Sequence, residues 1–400
     1  MSRLLRNYNR APVTFVRGEG CELIAADGTR YLDFLAGIAV CALGHAHPQI
    51  TEAIAAQAAT LVHCSNLFDF EPTATLADEL AARSGFDRVF FCNSGTEANE
   101  AAIKLARKFA FRKGETQRRT ILSCHGSFHG RTFGALAATS NPQYHEGFEP
   151  LPGGFAYVPF NDVAALEAAI DETTAAFIVE PVQGESGVKP ADPAFLAAAR
   201  RLCSERGALL IFDEIQCGMG RVGSLFAYQT FGIRPDVVTL AKALANGLPI
   251  GAMLVAAEAA DALQPGDHGT TFGGSPVPCA AALRHLHVRD ELDLDAHVKA
   301  VGAVLRDGLA ALATELPHAF APPRGMGMML GLPVREPYIA KAFADAALRE
   351  AHLIVNAAGD NTIRIVPPLI LSAAQARDGL GRLASVARGI AAAPIRVAGG

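Results

Sequence analysis

No Cys-x-x-Cys pair and no His-Glu-x-x-His motif occurs among the eight cysteines and twelve histidines. Zinc is therefore not expected. Cys21, Cys41, Cys64, Cys92, Cys124, Cys203, Cys217 and Cys279 are scattered along the chain and read as free thiols of a reducing cytoplasm. A glycine-rich loop ending in Lys-Ser/Thr is missing too, which removes the usual support for a nucleoside triphosphate site. No uncharged apolar run reaches the length of a membrane span. The opening Met1-Ser-Arg-Leu-Leu-Arg6 has no apolar core of signal-peptide length. The expectation is a cytoplasmic protein without a membrane partner. Basic charge is not in excess: the net charge of -5 and pI near 6.2 give no reason to expect nucleic acid or an anionic surface as partner. There is no internal repeat and no low-complexity tract.

What is present is apolar content of 50% over 400 residues, enough for a large core in two or three domains. Near the start, Cys21-Glu-Leu-Ile-Ala-Ala and Thr29-Arg-Tyr-Leu-Asp-Phe flank Asp27-Gly28, a hairpin signal. Gly37 to Pro48 is a loop whose His45 and His47 read as loop-lining residues, and Pro48 suits the first turn of a helix through Ala59. From residue 70 helix and strand patterns alternate. Helices are expected over Thr73 to Arg83, Glu97 to Arg112 and Pro193 to Arg206; strands over Arg88 to Cys92, Thr120 to Cys124, Ala175 to Val179, Ala208 to Phe212 and Val237 to Leu240. Continuously apolar strands separated by helices imply a parallel sheet covered on both faces. Right-handed crossovers put the carboxyl ends of those strands at one edge, where ligands of such sheets bind. Beyond the sheet, one long helical segment is expected over 277 to 315. Strands follow over Met326 to Val334, Leu353 to Asn356 and Thr362 to Val366, then a last helix over Ala373 to Ala391. The closing Ala398-Gly399-Gly400 is expected to fray.

Polar residues stand at those strand ends. Lys242 follows Val237-Val-Thr-Leu-Ala241, and ammonium groups are rarely buried without a partner. A partly desolvated lysine loses its proton more readily and attacks carbonyls. Alone it would read as a solvated loop residue. Asp213, in Asp213-Glu-Ile-Gln216, ends another apolar strand. A lysine and a carboxylate at the tips of buried strands are the pair expected of pyridoxal 5'-phosphate: the lysine forms the Schiff base and the acid keeps the pyridine nitrogen protonated. Asp213 could instead cap a helix or bind Mg²⁺. Asn93-Ser-Gly-Thr96 opens a helix; Gly95 allows close approach, and first-turn amides with the Thr96 hydroxyl suit a phosphate, although an ordinary cap explains that cluster taken alone. Phe128 sits in a Gly-rich turn and either stacks on a flat heterocycle or packs the loop. Gln216 can donate to a phenolic oxygen. Arg364, between apolar neighbours in Ile363-Arg-Ile365, suits bidentate carboxylate capture, and Glu185 is an acid that could pair with it; a surface ion pair is the plain reading of both.

Together, Asn93-Ser-Gly-Thr-Glu-Ala-Asn-Glu100, Ser127-Phe-His-Gly-Arg-Thr132, Glu180-Pro-Val-Gln-Gly-Glu185, Asp213-Glu-Ile-Gln-Cys-Gly-Met-Gly-Arg221, Lys242 and Thr270-Thr-Phe-Gly-Gly-Ser-Pro276 resemble the class-III aminotransferases. Within that class the likeness is to the acetylornithine/succinylornithine group, from about Thr14 to Val386. Ser275 stands where the family pattern usually has Asn. The resemblance implies an α/β protein of PLP-dependent transferase fold type I. It implies an N-terminal segment (1–50) packing with the small domain, a large cofactor domain (51–275) with a mostly parallel sheet covered by helices, and a linking helix with a smaller α+β domain (276–400). It implies that Lys242 is the Schiff-base lysine and proton shuttle, with Asp213 on the pyridine nitrogen and Gln216 on the phenolic oxygen. Gly95 and Thr96 would hold the phosphate, and Phe128 would cover the ring. Thr271 would reach the neighbouring subunit's cofactor, so that the active sites need a homodimer. Arg131 and Thr270 would contact the acylated end of the substrate; Arg364 would bind an α-carboxylate, with Glu185 as its switch.

The activity so implied is ping-pong transfer of the δ-amino group of N²-acetyl-L-ornithine to 2-oxoglutarate, a step of arginine biosynthesis. Other ω-aminotransferases, acting on succinylornithine, ornithine, 4-aminobutyrate or succinyl-diaminopimelate, remain alternatives. So do a pyridoxal-phosphate aminomutase or racemase, and a non-catalytic cofactor-binding protein.

Overall fold

The computed structural model describes residues 3–392; Ala398–Gly400, expected to fray, lies outside them. A seven-stranded sheet runs in the order Arg88–Cys92, Gly251–Val255, Val237–Leu240, Leu209–Asp213, Thr174–Val179, Thr120–Cys124 and Phe155–Val158. Every neighbouring pair is parallel except those made by Gly251–Val255, which runs against both of its neighbours. Side chains alternate between two covered faces. Ile121, Ile178, Ile211 and Met253 meet Ala101, Ala102 and Leu105 of the helix Gly95–Arg112 on one face. Leu122, Phe177, Phe212 and Leu254 belong to the main core on the other, with Phe195 and Leu202 of Pro193–Arg206. These strands are apolar along their whole length because neither face meets water, and each fully buried Leu, Ile or Phe contributes roughly 1.5–3 kcal/mol.

Two smaller sheets join distant parts of the chain. Phe15–Glu19, Glu22–Ala25 and Arg30–Asp33 form antiparallel neighbours, and the last of them pairs in parallel with Leu353–Ile354. The expected turn at Asp27-Gly28 is present, with Gly28 at φ +88°. The other sheet has the order Arg324–Met326, Met329–Pro333, Thr362–Ile365, Asn356–Ala358, and sets Gly331 opposite Arg364.

Three expectations need correction. The segment 277–315 is two helices, Pro276–Glu291 and Leu294–Glu315, broken where Asp293 turns left-handed at φ +42°. The strand expected over Met326 to Val334 is a hairpin of two, Arg324–Met326 and Met329–Pro333, reversing at Gly327 with φ +52°. Leu353 to Asn356 is likewise divided, its ends belonging to different sheets.

The N-terminal segment is pinned by one buried pair. Asp33, 1% exposed, accepts from the amides of Leu35 and Ala36 at 2.8 Å and holds His45 Nε2 at 2.7 Å. Burial opposes a charge on His45, but the bonds to Asp33 and Cys41 outweigh it and lift the imidazole from 6.5 to about 9. A raised folded-state value stabilises fully below the unfolded value and stops doing so above the folded one. The stability advantage of the parent over a His45→Gln variant should therefore be full at pH 6 and shrink as pH rises through 9. The loss is on the order of 2–3 kcal/mol, read from chemical denaturation at each pH.

Candidate functional site

At the carboxyl edge of the large sheet lies a cavity of about 380 Å³. The strand Arg88–Cys92 delivers Asn93, Ser94, Gly95 and Thr96 to it; the turn after Thr120–Cys124 delivers Phe128, His129, Gly130 and Arg131. Thr174–Val179 ends at Glu180, Leu209–Asp213 at Asp213, Ile215 and Gln216, and Val237–Leu240 at Ala241 and Lys242. Val40 and residues 247–250 complete the wall. The topology explains this convergence: parallel strands send successive chain reversals to the same edge.

Lys242 opens a short 3-10 turn, Lys242–Ala245, with φ +43°, a conformation that non-glycine residues rarely hold and that clusters at functional positions. Its amine makes no hydrogen bond or ion pair among the described residues. Burial pushes the Lys242 amine below its ordinary 10.5; the carboxylates of Glu185 and Asp213 oppose that shift, and Arg364 adds to it.

Asp213 is buried in a fixed set of donors. Its Oδ2 accepts from Asn99 Nδ2 at 2.7 Å and sits 2.8 Å from His129 Nδ1; its Oδ1 accepts from the Ile215 amide at 3.0 Å. Asn99 is itself held: Nδ2 also donates to the His129 carbonyl at 2.7 Å, and Oδ1 accepts from Thr239 Oγ1 at 2.8 Å. Burial pushes the neighbouring Glu180 carboxyl up to about 7, against the pull of His129. Its oxygens accept from the Phe128 amide at 3.0 Å and the Gly184 amide at 3.3 Å.

The helix Gly95–Arg112 starts at the opposite wall. Ser94 is its N-cap, the side chain accepting from Glu97 N at 3.3 Å. The amides of Gly95 and Thr96 are bonded to no protein group among the described residues, so two donors at the positive end of a helix face the cavity. Gly95 is required by space, because a Cβ there would stand 2.8 Å from Ile215. Thr96 Oγ1 lies 2.7 Å from Thr132 Oγ1, and Thr132 in turn donates to Glu100 at 2.6 Å. Phe128, partly buried, meets Tyr144 edge-on at 6.0 Å, and the exposed Arg131 guanidinium lies 3.6 Å from the centre of the Tyr144 ring.

Four of the expected site residues do not line this cavity. Arg364 and Glu185 lie beside it, joined at 2.6 Å, and both touch Gln216: its Nε2 donates to Glu185 at 3.1 Å and its Oε1 accepts from Arg364 at 3.1 Å. Arg364 is 1% exposed, which removes the surface reading of that pair. Burial pushes Glu185 up, but Arg364 and then Lys242 hold its carboxyl below the usual value. Thr270 accepts from Asn93 Nδ2 at 3.0 Å in an adjoining recess, and Thr271 is exposed outside the cavity. The sequence reading missed Asn99, His129 and Thr239. Each had a signal, a polar side chain inside an apolar or motif stretch. Among the described residues no group of three or more His, Cys, Asp or Glu is placed to hold a metal.

The donor set matches pyridoxal phosphate on four counts. An unpaired amine at the cavity wall can take a carbonyl, a buried carboxylate can meet a ring nitrogen, unbonded helix amides can take a phosphate, and an aromatic side chain can cover a ring.

The family model described as aminotransferase class-III matches residues 4–387. The chain is 47% identical to the acetylornithine aminotransferase of Thermosynechococcus vestitus, over 97% of this chain and 96% of that one. It is 47% identical to the acetylornithine aminotransferase of Methanocaldococcus jannaschii, over 92% and 91%. Among solved structures, the ornithine aminotransferase of Toxoplasma gondii superposes with a TM-score of 0.93 at 33% identity, over 97% of this chain and 93% of that one. The N-acetylornithine aminotransferase of Stenotrophomonas maltophilia superposes at 0.85 with 39% identity, over 97% and 98%.

Asn99 is the joint between Asp213, His129 and Thr239. Asn99→Leu should lower the stability of the cofactor-free chain by about 2–4 kcal/mol in chemical denaturation, because it takes a hydrogen bond from three buried polar groups at once.

Proposed function

Since the chain belongs to the class-III aminotransferases, which are pyridoxal-phosphate enzymes of fold type I, we propose that it moves the δ-amino group of N²-acetyl-L-ornithine to 2-oxoglutarate. The products are N-acetylglutamate 5-semialdehyde and glutamate. The reading rests on relatives of that name at 47–49% identity over nearly their whole length. The observation that carries it in the site is the pair of buried Arg364 with half-buried Glu185 beside the Lys242 cavity. Two unlike substrates must use one pocket in turn. An arginine masked by a carboxylate serves the amine donor; the same arginine, unmasked, holds the α-carboxylate of 2-oxoglutarate. Arg131, exposed over Tyr144, would contact the carboxylate at the acylated end of the donor, and Thr270 would share that contact.

Bound pyridoxal phosphate supplies the carbonyl that carries the amino group and a ring that absorbs the electron pair left on carbon. Gly95 and Thr96 would hold its phosphate, Phe128 would cover the ring, Asp213 would keep the ring nitrogen protonated and Gln216 would face the phenolic oxygen. Lys242 would anchor the cofactor covalently, then take the proton from the δ-carbon of the donor. A lysine held below its ordinary value by burial is suited to that, since it serves as a base at lower pH.

The proposal extends to a homodimer in which exposed Thr271 reaches the second copy's cofactor, and to a cytoplasmic enzyme of arginine biosynthesis whose eight cysteines stay reduced. It also keeps the division into residues 1–50, 51–275 and 276–400.

Two measurements test it. Borohydride reduction of the holoenzyme followed by peptide mass spectrometry should leave the cofactor's mass on the peptide holding Lys242; Lys242→Ala should carry none there and should lose transamination. In a substrate panel, kcat/KM for acetylornithine should exceed that for ornithine and 4-aminobutyrate at least about tenfold, with turnover requiring 2-oxoglutarate. Turnover without any 2-oxo acid would instead mark an isomerase.

A further inference from the structure

Arg221 and Arg364 head the largest fully buried side chains of the molecule, each 1% exposed. Arg364 has a carboxylate partner. Arg221 has none: among the described residues no Asp or Glu forms an ion pair with it, and its Nε and Nη2 reach no acceptor. Only Nη1 is used, and it donates to two main-chain carbonyls, Met328 at 3.3 Å and Pro367.

Those two carbonyls stand opposite each other at one end of the strand pair that carries Arg364. Met328 precedes Met329–Pro333, which sets Gly331 opposite Arg364; Pro367 lies just beyond Thr362–Ile365. The main chain of Arg221 repeats the grip, its carbonyl accepting from the Met328 amide at 3.0 Å. The turn is seated tightly on this segment: a Cβ at Gly327 would stand 2.6 Å from the Arg221 carbonyl oxygen and 2.8 Å from the carbonyl carbon of Val222. On its other side Arg221 ends the run that begins at Asp213 and holds Gln216.

A buried guanidinium with no ion-pair partner, favoured only through space by Asp33, is an expensive way to fill space, and an aliphatic side chain would serve packing better. What the guanidinium supplies is two hydrogen bonds of fixed direction from one nitrogen of a rigid plane.

We propose that Arg221 is a positioning residue for capture of the acceptor's α-carboxylate: it fixes the strand pair bearing Arg364 against the segment bearing Asp213 and Gln216. This rests on the reading of Arg364 given under Proposed function. In that reading the acceptor's α-carboxylate sits on Arg364 while the donor's carboxylate sits on Arg131. A shift of the Arg364 strand therefore acts chiefly on the acceptor, the substrate that contacts Arg364 directly. General loosening of the fold would weaken both.

The test is steady-state kinetics of holoenzyme with both substrates varied, on Arg221→Met, Arg221→Lys and, as reference, Arg364→Lys. In Arg221→Met the KM for 2-oxoglutarate should rise about tenfold, the change that about 1.4 kcal/mol of binding produces, while the KM for acetylornithine stays within about twofold and kcat within about threefold. Arg221→Lys, which keeps the charge but replaces the planar fork with an ammonium, should fall between. It carries the test alone if Arg221→Met does not fold. An unchanged acceptor KM, or a parallel rise of both KM values, overturns the proposal. If Arg364→Lys itself spares the acceptor KM, the assignment of Arg364 fails instead, and the two failures are told apart.

Discussion

Everything at the site turns on keeping an amine out of water while the carboxylates of Glu185, Asp213 and Glu180 stand near it. Burial drives Lys242 towards its neutral form, and Glu185 and Asp213 pull the other way. A lysine wholly in water would be a cation and no nucleophile; one tightly paired with a carboxylate would be a cation as well. The structure avoids both. Each nearby carboxylate is already engaged: Asp213 by Asn99, His129 and the Ile215 amide, Glu185 by Arg364 and Gln216, Glu180 by the Phe128 and Gly184 amides. None forms an ion pair with the amine, so the acids temper its shift without neutralising its chemistry.

The same engagement explains why so much polar material can sit at the end of an apolar sheet. A buried carboxylate is tolerated when its lone pairs are occupied. Asp213 meets that condition through residues from different elements: Asn99 on a helix, His129 in a turn, Ile215 in the following loop. Thr239, on the strand that leads to Lys242, closes the network through Asn99. The acid and the strand that leads to the lysine are therefore joined through hydrogen bonds as well as through the sheet, and movement of one strand end is resisted by the others.

The residues that the sequence made legible were those whose identity is unusual for their place. A lysine after Val237–Leu240, an acid ending Leu209–Asp213 and an arginine between Ile363 and Ile365 each contradict their apolar surroundings. The parallel strands were legible for a related reason, since burial on both faces leaves long apolar runs; the ranges Arg88–Cys92, Thr120–Cys124 and Val237–Leu240 and the helix Pro193–Arg206 agree residue for residue. What escaped was masked by its neighbours or depended on geometry and partners beyond the local stretch. Gly251–Val255 is buried too, but Gly and Pro before it mask a strand that runs against its neighbours. The break at Asp293 depends on a left-handed residue that is not glycine, which composition does not mark. Asn99 and His129 matter through partners more than eighty residues away, Asp213 and Thr239, and no local pattern carries such distances.

The two buried arginines show why position alone does not reveal a role. Both are 1% exposed, close to the burial of the core leucines. Arg364 has a partner that can leave, because Glu185 remains 28% exposed and is also bonded to Gln216. In the proposed function that is what would free its charge for a ligand. Arg221 faces main-chain carbonyls, which are fixed in the fold and neither titrate nor swing away. A charge paired with a movable carboxylate is arranged for exchange; a charge paired with backbone is arranged for permanence. A site that must accept two unlike substrates in turn needs both kinds. The exchangeable pair can open and close with useful effect only if the strand beneath it does not move.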